Sequence, residues 1–331
     1  MTNFKNKFTK YNKKNADLEN QINMRGGLCV VDQTYEYDNL ESILSYIRNR
    51  HECTNNIKTT NKYFVILYGP PASGKQVARK LACKFIKKIF NESSPVEDIF
   101  KSFVDTGIDE ILYSTYHNPA DPAMERLTIK EKFKSTLDLL FLNHQIPEEQ
   151  KIKYLQRSLS NVEVKEVFGE NKDLYFEYRN QKNLDALSLI IGSVATLTHN
   201  NVFFETASPS VEYINNLISV VYYNSYKVIL MYPYTSEIDL LMERNISRAV
   251  EEGRILMRKD IGDKMLGCLR GYEDNIISRV NPNSLLNKNG TIVIVKYDTN
   301  IGADDYEKVK RFEDSNITIL EEIVKIDGNI L

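Results

Sequence analysis

The chain has 331 residues, which is enough to bury a large core. From this length alone, about two domains are expected. Hydrophobic residues make up 42% and charged residues 27%, which is the composition of an ordinary soluble globular protein. The formal net charge of −2 argues against nucleic-acid binding through bulk charge, so a nucleic-acid partner is not expected unless a local basic patch provides it.

The cysteines Cys29, Cys53, Cys83 and Cys268 are scattered and form no C-x-x-C pair. This spacing favours free thiols in a reducing compartment over disulfides or zinc. The N-terminal stretch "MTNFKNKFTKYNKKN" lacks the apolar core of a secretory signal. The most apolar long stretch, 184–197, is too short and too polar to span a bilayer. We therefore expect a cytoplasmic protein without a membrane partner; the sequence does not indicate an oligomeric state.

Four segments are expected along the chain. Residues 1–25 are rich in Lys and Asn and predict a disordered polar arm. Residues 26–60 are interpreted as a helical lead-in, because apolar residues from Leu40 to Ile47 recur at helical spacing. Residues 61–300 are expected to form the main domain, followed by a C-terminal extension over 301–331.

The main domain contains apolar runs separated by helical patterns. Most of these runs are continuous rather than alternating, as in strands covered on both faces. They comprise residues 63–69, 101–107, 201–207, 227–234 and 290–298. Strands that alternate with helices predict an α/β fold with a doubly wound, mostly parallel five-stranded sheet. The interval at about 112–200 is too long for a simple crossover and is predicted to be a helical insertion.

The stretch "YGPPASGKQ" joins the first predicted strand to the first predicted helix. It fits the phosphate-loop pattern G-x-x-x-x-G-K, in which backbone N–H groups and a helix N-terminus surround phosphates. The candidate ATP-binding residues are Gly69, Pro70, Pro71, Ala72, Ser73, Gly74, Lys75 and Gln76. Lys75 is expected to reach the β- and γ-phosphates. Gln76 stands where a Ser or Thr normally holds Mg²⁺, so an altered magnesium contact is expected there.

Carboxylates follow two of the predicted strands. Asp105, Asp109 and Glu110 follow the second strand, and Glu205 with Thr206 ends the third. Parallel sheets bind ligands at the carboxyl ends of their strands, so these side chains are candidates for the acceptor site. A carboxylate there can accept the proton of an attacking hydroxyl, and Glu205 can organise Mg²⁺ or water. Helix capping is the alternative for both groups, and for Asp109 the sequence leaves the two equal.

Arginines follow the fourth predicted strand in "LLMERNISRAVEEGRILMRK". Arg244, Arg248, Arg254 and Arg258 occupy the place where small-molecule kinases carry a lid that closes over a triphosphate. The alternative is an exposed helix on which these arginines pair with neighbouring glutamates.

Taken together, the pieces "GPPASGKQ", "FVDTGIDEILYSTYHNP", "FFET" and "RNISRAVEEGR" resemble the zeta-toxin family of P-loop phosphotransferases over roughly residues 60–260. The resemblance implies a kinase-like fold in which Lys75 binds phosphate, Asp109 is the catalytic base and Thr206 helps to position the acceptor. The arginines would hold the γ-phosphate; we assign Arg248 and Arg258 to catalysis, Arg254 to ATP and Arg244 to the acceptor. Gln76 departs from the family pattern, as does Glu110-Ile111, where a basic residue often follows the acid.

The sequence therefore predicts an ATP- and Mg²⁺-dependent kinase that phosphorylates a hydroxyl of a small-molecule acceptor. One alternative is a polynucleotide or nucleoside kinase, which the near-neutral charge disfavours. Another is a nucleotide-binding regulatory module without turnover, and a third is a structural protein whose loop binds nothing.

Overall fold

The computed structural model describes residues 59–113, 116–117, 127–160, 174–180, 183–207, 217, 225–273, 291–298, 318–319 and 324–327. The predicted polar arm lies outside the described residues, and so does the lead-in helix up to residue 58. Within the described ranges, no helix is long and apolar enough to cross a membrane. Cys83 and Cys268 are buried free thiols, and Cys29 and Cys53 lie outside the described residues.

The sheet is built around the first predicted strand. The strands are β1 (Tyr63–Tyr68), β2 (Phe103–Asp105), β3 (Tyr116–His117), β4 (Leu127–Thr128), β5 (Asn201–Thr206), β6 (Lys227–Tyr234), β7 (Thr291–Asp298), β8 (Thr318–Ile319) and β9 (Val324–Asp327). Five of them run parallel in the order β2-β5-β1-β6-β7. The prediction of an α/β fold with five parallel strands is confirmed.

Helices connect these strands. They are α1 (Lys75–Phe90), α2 (Val96–Lys101), α3 (Ile108–Tyr113), α4 (Ile129–Asn143), α5 (Lys151–Ser160), α6 (Leu184–Leu197), α7 (Ile238–Glu252) and α8 (Arg258–Gly271). A 3-10 turn, Glu148–Gln150, precedes α5, and residues 174–180 are helical.

Both faces of the sheet are covered, which explains the continuous apolar runs. Tyr63, Val65 and Leu67 of β1 pack with the apolar stripe of α1. The alternate residues of β1 point to the opposite face, where they join a core that contains residues of α3, α6 and α8. Because successive side chains of a strand point to opposite faces, a strand between two helical layers needs apolar residues at every position. The apolar residues of α1 that face the sheet, such as Val77, Leu81 and Phe85, are buried.

The predicted insertion contains α4 and α5, which pack against the helix that carries the arginines. Leu137 and Phe141 of α4 and Leu155 of α5 form one buried cluster with Leu241 and Ile246 of α7. Leu140 of α4 is only partly buried at the edge of this cluster. The insertion therefore supports α7, and Val250 at the end of α7 accepts a hydrogen bond from Lys134 of α4.

Some elements differ from the sequence-based expectation. Within the predicted helical insertion, β3 and β4 pair as a short antiparallel ladder, and α6 packs on the sheet, where its Ile191 shares a buried cluster with Phe204 of β5. In the predicted extension, β8 and β9 pair antiparallel with β7, so the described residues form a sheet of seven strands. Strands of two to four residues have too little periodicity to stand out in a sequence.

Candidate functional site

The loop between β1 and α1 folds back toward β5 and surrounds the side chain of Lys75. The N–H of Gly69 donates to the carbonyl oxygen of Thr206 at 3.1 Å, which ties the start of the loop to the end of β5. Lys75 Nζ donates to the carbonyl oxygens of Gly69 at 3.0 Å and Pro70 at 2.7 Å. Gly74, which precedes α1, has φ +88°, a left-handed conformation that glycine adopts without steric cost. The loop thus holds its lysine at the carboxyl end of the sheet.

Beneath this loop, Arg79 joins the carboxylates that end two neighbouring strands. Arg79 Nε lies 2.6 Å from Asp105 Oδ2, and Arg79 Nη2 lies 2.9 Å from Glu205 Oε2. Glu205 Oε1 in turn lies 3.4 Å from Lys75 Nζ. Asp105 also accepts a hydrogen bond of 2.8 Å from the N–H of Gly107. Glu205 therefore lies between two buried cations, and Asp105 belongs to a structural ion pair.

Asp109 lies at the centre of a second charged cluster. Arg254 Nη1 and Arg248 Nη2 both contact Asp109 Oδ2, the latter at 3.3 Å. The hydroxyl of Tyr175 donates to Asp109 Oδ1 at 3.1 Å. The guanidinium carbon of Arg254 lies 4.2 Å from the centre of the Tyr175 ring, which is a cation–π contact. Arg248 additionally pairs with Glu252 at 3.1 Å.

These contacts shift the protonation equilibria of the buried groups. Burial would raise the pKa of Asp109, but the charges of Arg254 and Arg248 and the hydrogen bonds outweigh it and hold this pKa well below its usual range. Burial also opposes ionisation of Glu205, yet Lys75 and Arg79 lower its pKa. Burial lowers the pKa of Lys75, and the nearby charge of Glu205 opposes that shift. Both carboxylates are therefore ionised at neutral pH.

Residues of both clusters line one cavity of about 370 Å³ at the carboxyl end of the strands. Its charged side chains are the cations Lys75, Arg179, Arg248, Arg254 and Lys264 and the anions Asp109, Asp185 and Glu205. One wall is apolar and includes Ile108, Leu189 and Phe204. An excess of cations in a partly buried cavity attracts an anionic ligand.

The structure brings seven of the predicted site residues to this cavity. Those that line it are Pro71, Lys75, Asp109, Glu205, Thr206, Arg248 and Arg254. Arg244 is buried beside the loop, where it contacts the carbonyl oxygen of Ala72 at 3.4 Å. Glu110 lies in α3, and its side chain is outside the described part of the structure.

The structure does not bring Arg258 or Gln76 to the cavity. Arg258 begins α8 and pairs with the exposed carboxylate of Asp239 at 2.5 Å. Gln76 is exposed on the first turn of α1. Neither residue is among those that line the cavity. Gln76, which the sequence assigned to an altered magnesium contact, therefore lies outside the cavity. Arg258, which the sequence assigned to catalysis, lies outside the charged cluster around Asp109.

Some residues of the site did not stand out in the sequence. Tyr175 and Arg179 come from a charged stretch without a motif, and their spacing of four residues on one helical turn was the available signal. Lys264 of α8 was also not expected. Arg79 of α1 was also not among the candidate site residues, although its side chain is buried under the loop. Its position one turn after Lys75 could have indicated that it faces the same side.

The lowered pKa of Glu205 predicts a loss of stability in acid. Its ion pairs contribute stability that is complete above the ordinary glutamate pKa of about 4.3 and is lost as the pH falls through the lower pKa of the folded state. We expect the unfolding free energy of the wild-type chain, measured with urea, to fall more steeply from about pH 5 to pH 3 than that of Glu205→Gln. Parallel curves would contradict this assignment.

Comparison with known proteins identifies one relative of undetermined activity. The chain is similar to an uncharacterized protein, L872, of Acanthamoeba polyphaga mimivirus. The two are 26% identical over 280 residues, which cover 85% of this chain and 75% of the relative. No family model matches the chain. No solved structure matches it either.

The cavity holds Lys75, Arg248 and Arg254 together with the buried carboxylate of Asp109. Burial makes an ionised carboxylate costly, and the two arginines offset this cost at Asp109. Such a cluster can exchange its internal ion pairs for contacts to an incoming anion, because the arginine guanidinium binds carboxylate and phosphate with the same geometry.

Proposed function

We propose that this chain binds ATP at the loop 69–76 and transfers its γ-phosphoryl group to a hydroxyl of a small-molecule acceptor, as a zeta-toxin-like kinase with a P-loop fold. One observation carries the proposal: the loop lysine, Lys75, shares a single cavity with Asp109, Arg248 and Arg254. A parallel sheet with this loop directly after its central strand also supports it, since such sheets bind ligands at the carboxyl ends of the strands.

Each charged residue has a role in such a reaction. Lys75 would bind the β- and γ-phosphates, while Arg248 and Arg254 would neutralise the charge on the transferred group. Asp109 would accept the proton of the attacking hydroxyl. Thr206 and the apolar wall around Leu189 would contact the acceptor. Most of the catalysis would come from positioning and electrostatics, as phosphoryl transfer requires.

Phosphate binding would also change the state of the base. In the structure, Arg248 and Arg254 contact Asp109. When the triphosphate takes over these arginines, Asp109 loses two of the charges that lower its pKa and becomes a stronger proton acceptor. The base would therefore be activated by the substrate that it serves.

The described residues do not provide a dedicated magnesium site. They contain no group of three or more His, Cys, Asp or Glu side chains placed to hold a metal ion. Gln76 is exposed, and Glu205 lies between Lys75 and Arg79. Mg²⁺ would therefore enter the site bound to the phosphates of ATP, as is common in proteins that supply few ligands of their own.

The loop lysine provides the first test. Lys75→Ala is expected to raise the Kd for ATP·Mg²⁺, measured by calorimetry, by about 10- to 100-fold, because a charge-assisted contact to phosphate is lost. Lys87→Ala, which removes an exposed lysine of the same helix, is the matched control and should leave this Kd unchanged. Equal affinities in all three proteins, or no ATP binding by the wild type, would overturn the proposal.

A second candidate function is an ATP-binding regulatory module without turnover. The position of Gln76 favours it, because this exposed residue lies outside the cavity where a magnesium ligand would be needed. Incubation with γ-labelled ATP and a mixture of small-molecule alcohols separates the two functions. Labelled product supports the kinase, whereas tight ATP binding without transfer, unchanged by Gln76→Ser, supports the module.

A further inference from the structure

Tyr175 contacts both the carboxylate and one of the arginines of the charged cluster around Asp109. Its hydroxyl donates to Asp109 Oδ1 at 3.1 Å, and its ring lies 4.2 Å from the guanidinium carbon of Arg254. Asp109 and Arg254 also contact each other directly. One aromatic side chain therefore touches both the proposed base and one of the proposed phosphate-binding arginines.

The surroundings of Tyr175 fix its position. The residue is 3% exposed, and its ring lies 6.4 Å from that of Phe133 on α4 and 5.4 Å from that of Phe176. Burial raises the pKa of Tyr175 to about 12, so its hydroxyl keeps its proton and remains a donor at neutral pH. A buried, protonated tyrosine against a helix can hold a carboxylate and a guanidinium in fixed orientations.

This arrangement has a consequence when the arginines leave the base. Arg248 and Arg254 are the groups that a phosphate would attract, whereas a tyrosine hydroxyl has no charge to be drawn away. Three side-chain contacts of the Asp109 carboxylate are described, with Arg248, Arg254 and Tyr175. ATP would leave the hydrogen bond from Tyr175 in place. The ring face would meanwhile remain available to the guanidinium of Arg254.

We propose that Tyr175 is a positioning residue for phosphoryl transfer, whose hydroxyl orients Asp109 and whose ring supports Arg254 in its contact with the phosphates. This inference rests on the proposed kinase function. It assigns a role to a residue of the insertion, so the helices between β2 and β5 contribute to catalysis as well as to the wall of the cavity.

Two substitutions separate the two parts of this role. Tyr175→Phe keeps the ring and removes the hydroxyl, so the Kd for ATP·Mg²⁺ should stay within about twofold while the turnover of ATP, with water as acceptor, falls about tenfold. Tyr175→Leu removes the ring as well and should also raise that Kd about tenfold. Tyr178→Phe removes a hydroxyl from the same helical segment outside the cavity lining and is the matched control.

The outcomes can be told apart. The inference is supported if Tyr175→Phe keeps the wild-type affinity for ATP while Tyr175→Leu loses it. Tyr178→Phe should in addition be the one variant of the three with wild-type turnover. It is overturned if Tyr175→Leu binds ATP as the wild type does, or if Tyr175→Phe loses affinity and turnover together. The Kd for ATP is measured without turnover, so the comparison of Tyr175→Phe with Tyr175→Leu tests the role of the ring even if turnover is slow. A wild-type chain that binds no ATP overturns the proposed function, and this inference with it.

Discussion

Asp109→Asn is expected to reduce ATP turnover by about 10²- to 10³-fold, the usual loss when a general base is removed. Its affinity for ATP should stay the same or increase. The reason is that Arg248 and Arg254 both contact the Asp109 carboxylate, and an uncharged amide would compete with phosphate for them less strongly. Calorimetry gives the affinity, and phosphate release with water as acceptor gives the turnover.

The matched control for this experiment is Asp239→Asn. It removes the same charge from an ion pair with Arg258 whose aspartate is 85% exposed, and exposed pairs of this kind contribute little. We expect wild-type affinity and turnover in this variant. If Asp109→Asn lost both properties to the same degree, Asp109 would be holding the shape of the site and would not be its base.

Gly253→Ala is expected to lower the unfolding free energy by about 3 kcal/mol and to weaken ATP binding. Gly253 ends α7 with φ +72°, a conformation that is strained for alanine. A Cβ atom there would lie 2.3 Å from the carbonyl carbon of Phe133 and 2.5 Å from the backbone nitrogen of Lys134. Backbone atoms of α4 cannot turn away as a flexible side chain can. The next residue, Arg254, would therefore be displaced from Asp109.

Gly192→Ala is the control for that substitution. A Cβ at Gly192 would lie 3.7 Å from Phe204 Cδ2 and 3.8 Å from Thr106 Cγ2, which are ordinary contact distances. Because Gly192 lies inside α6, alanine should leave stability unchanged or raise it by up to about 1 kcal/mol. Urea unfolding gives the stabilities and calorimetry the affinities. Wild-type behaviour of Gly253→Ala would show that the close approach between α7 and α4 is not a constraint.

The parts of the fold that could be predicted are those with a strong local signal. The five parallel strands were recognisable because strands buried on both faces, such as β1 and β6, are apolar at nearly every position. The helix α1 has its apolar residues at helical spacing, and the loop before it fits a known pattern. The placement of Asp109 and Glu205 at the same edge followed from the parallel order of the strands.

The remaining parts of the site depend on tertiary contacts that leave little trace in the sequence. The four arginines after β6 have similar local surroundings, yet Arg248 and Arg254 line the cavity while Arg258 pairs with Asp239. Which of them reaches the site depends on how the turn after α7 packs on α4. Tyr175 lies far along the chain from Asp109, in a stretch without a pattern. Arg79 is one of several basic residues of α1, and the sequence does not show that it pairs with Asp105 and Glu205.

The two borders of the large sheet differ in how they avoid pairing with other chains. At one border, β2 has three residues, which offer a partner strand few hydrogen bonds. At the other, β7 has eight residues and would present a long row of unpaired N–H and C=O groups. The antiparallel strands β8 and β9 occupy that row, pairing with residues at both of its ends. Residues 318–319 and 324–327 thus cover most of the edge of β7, and a long uncovered edge is a site for edge-to-edge aggregation.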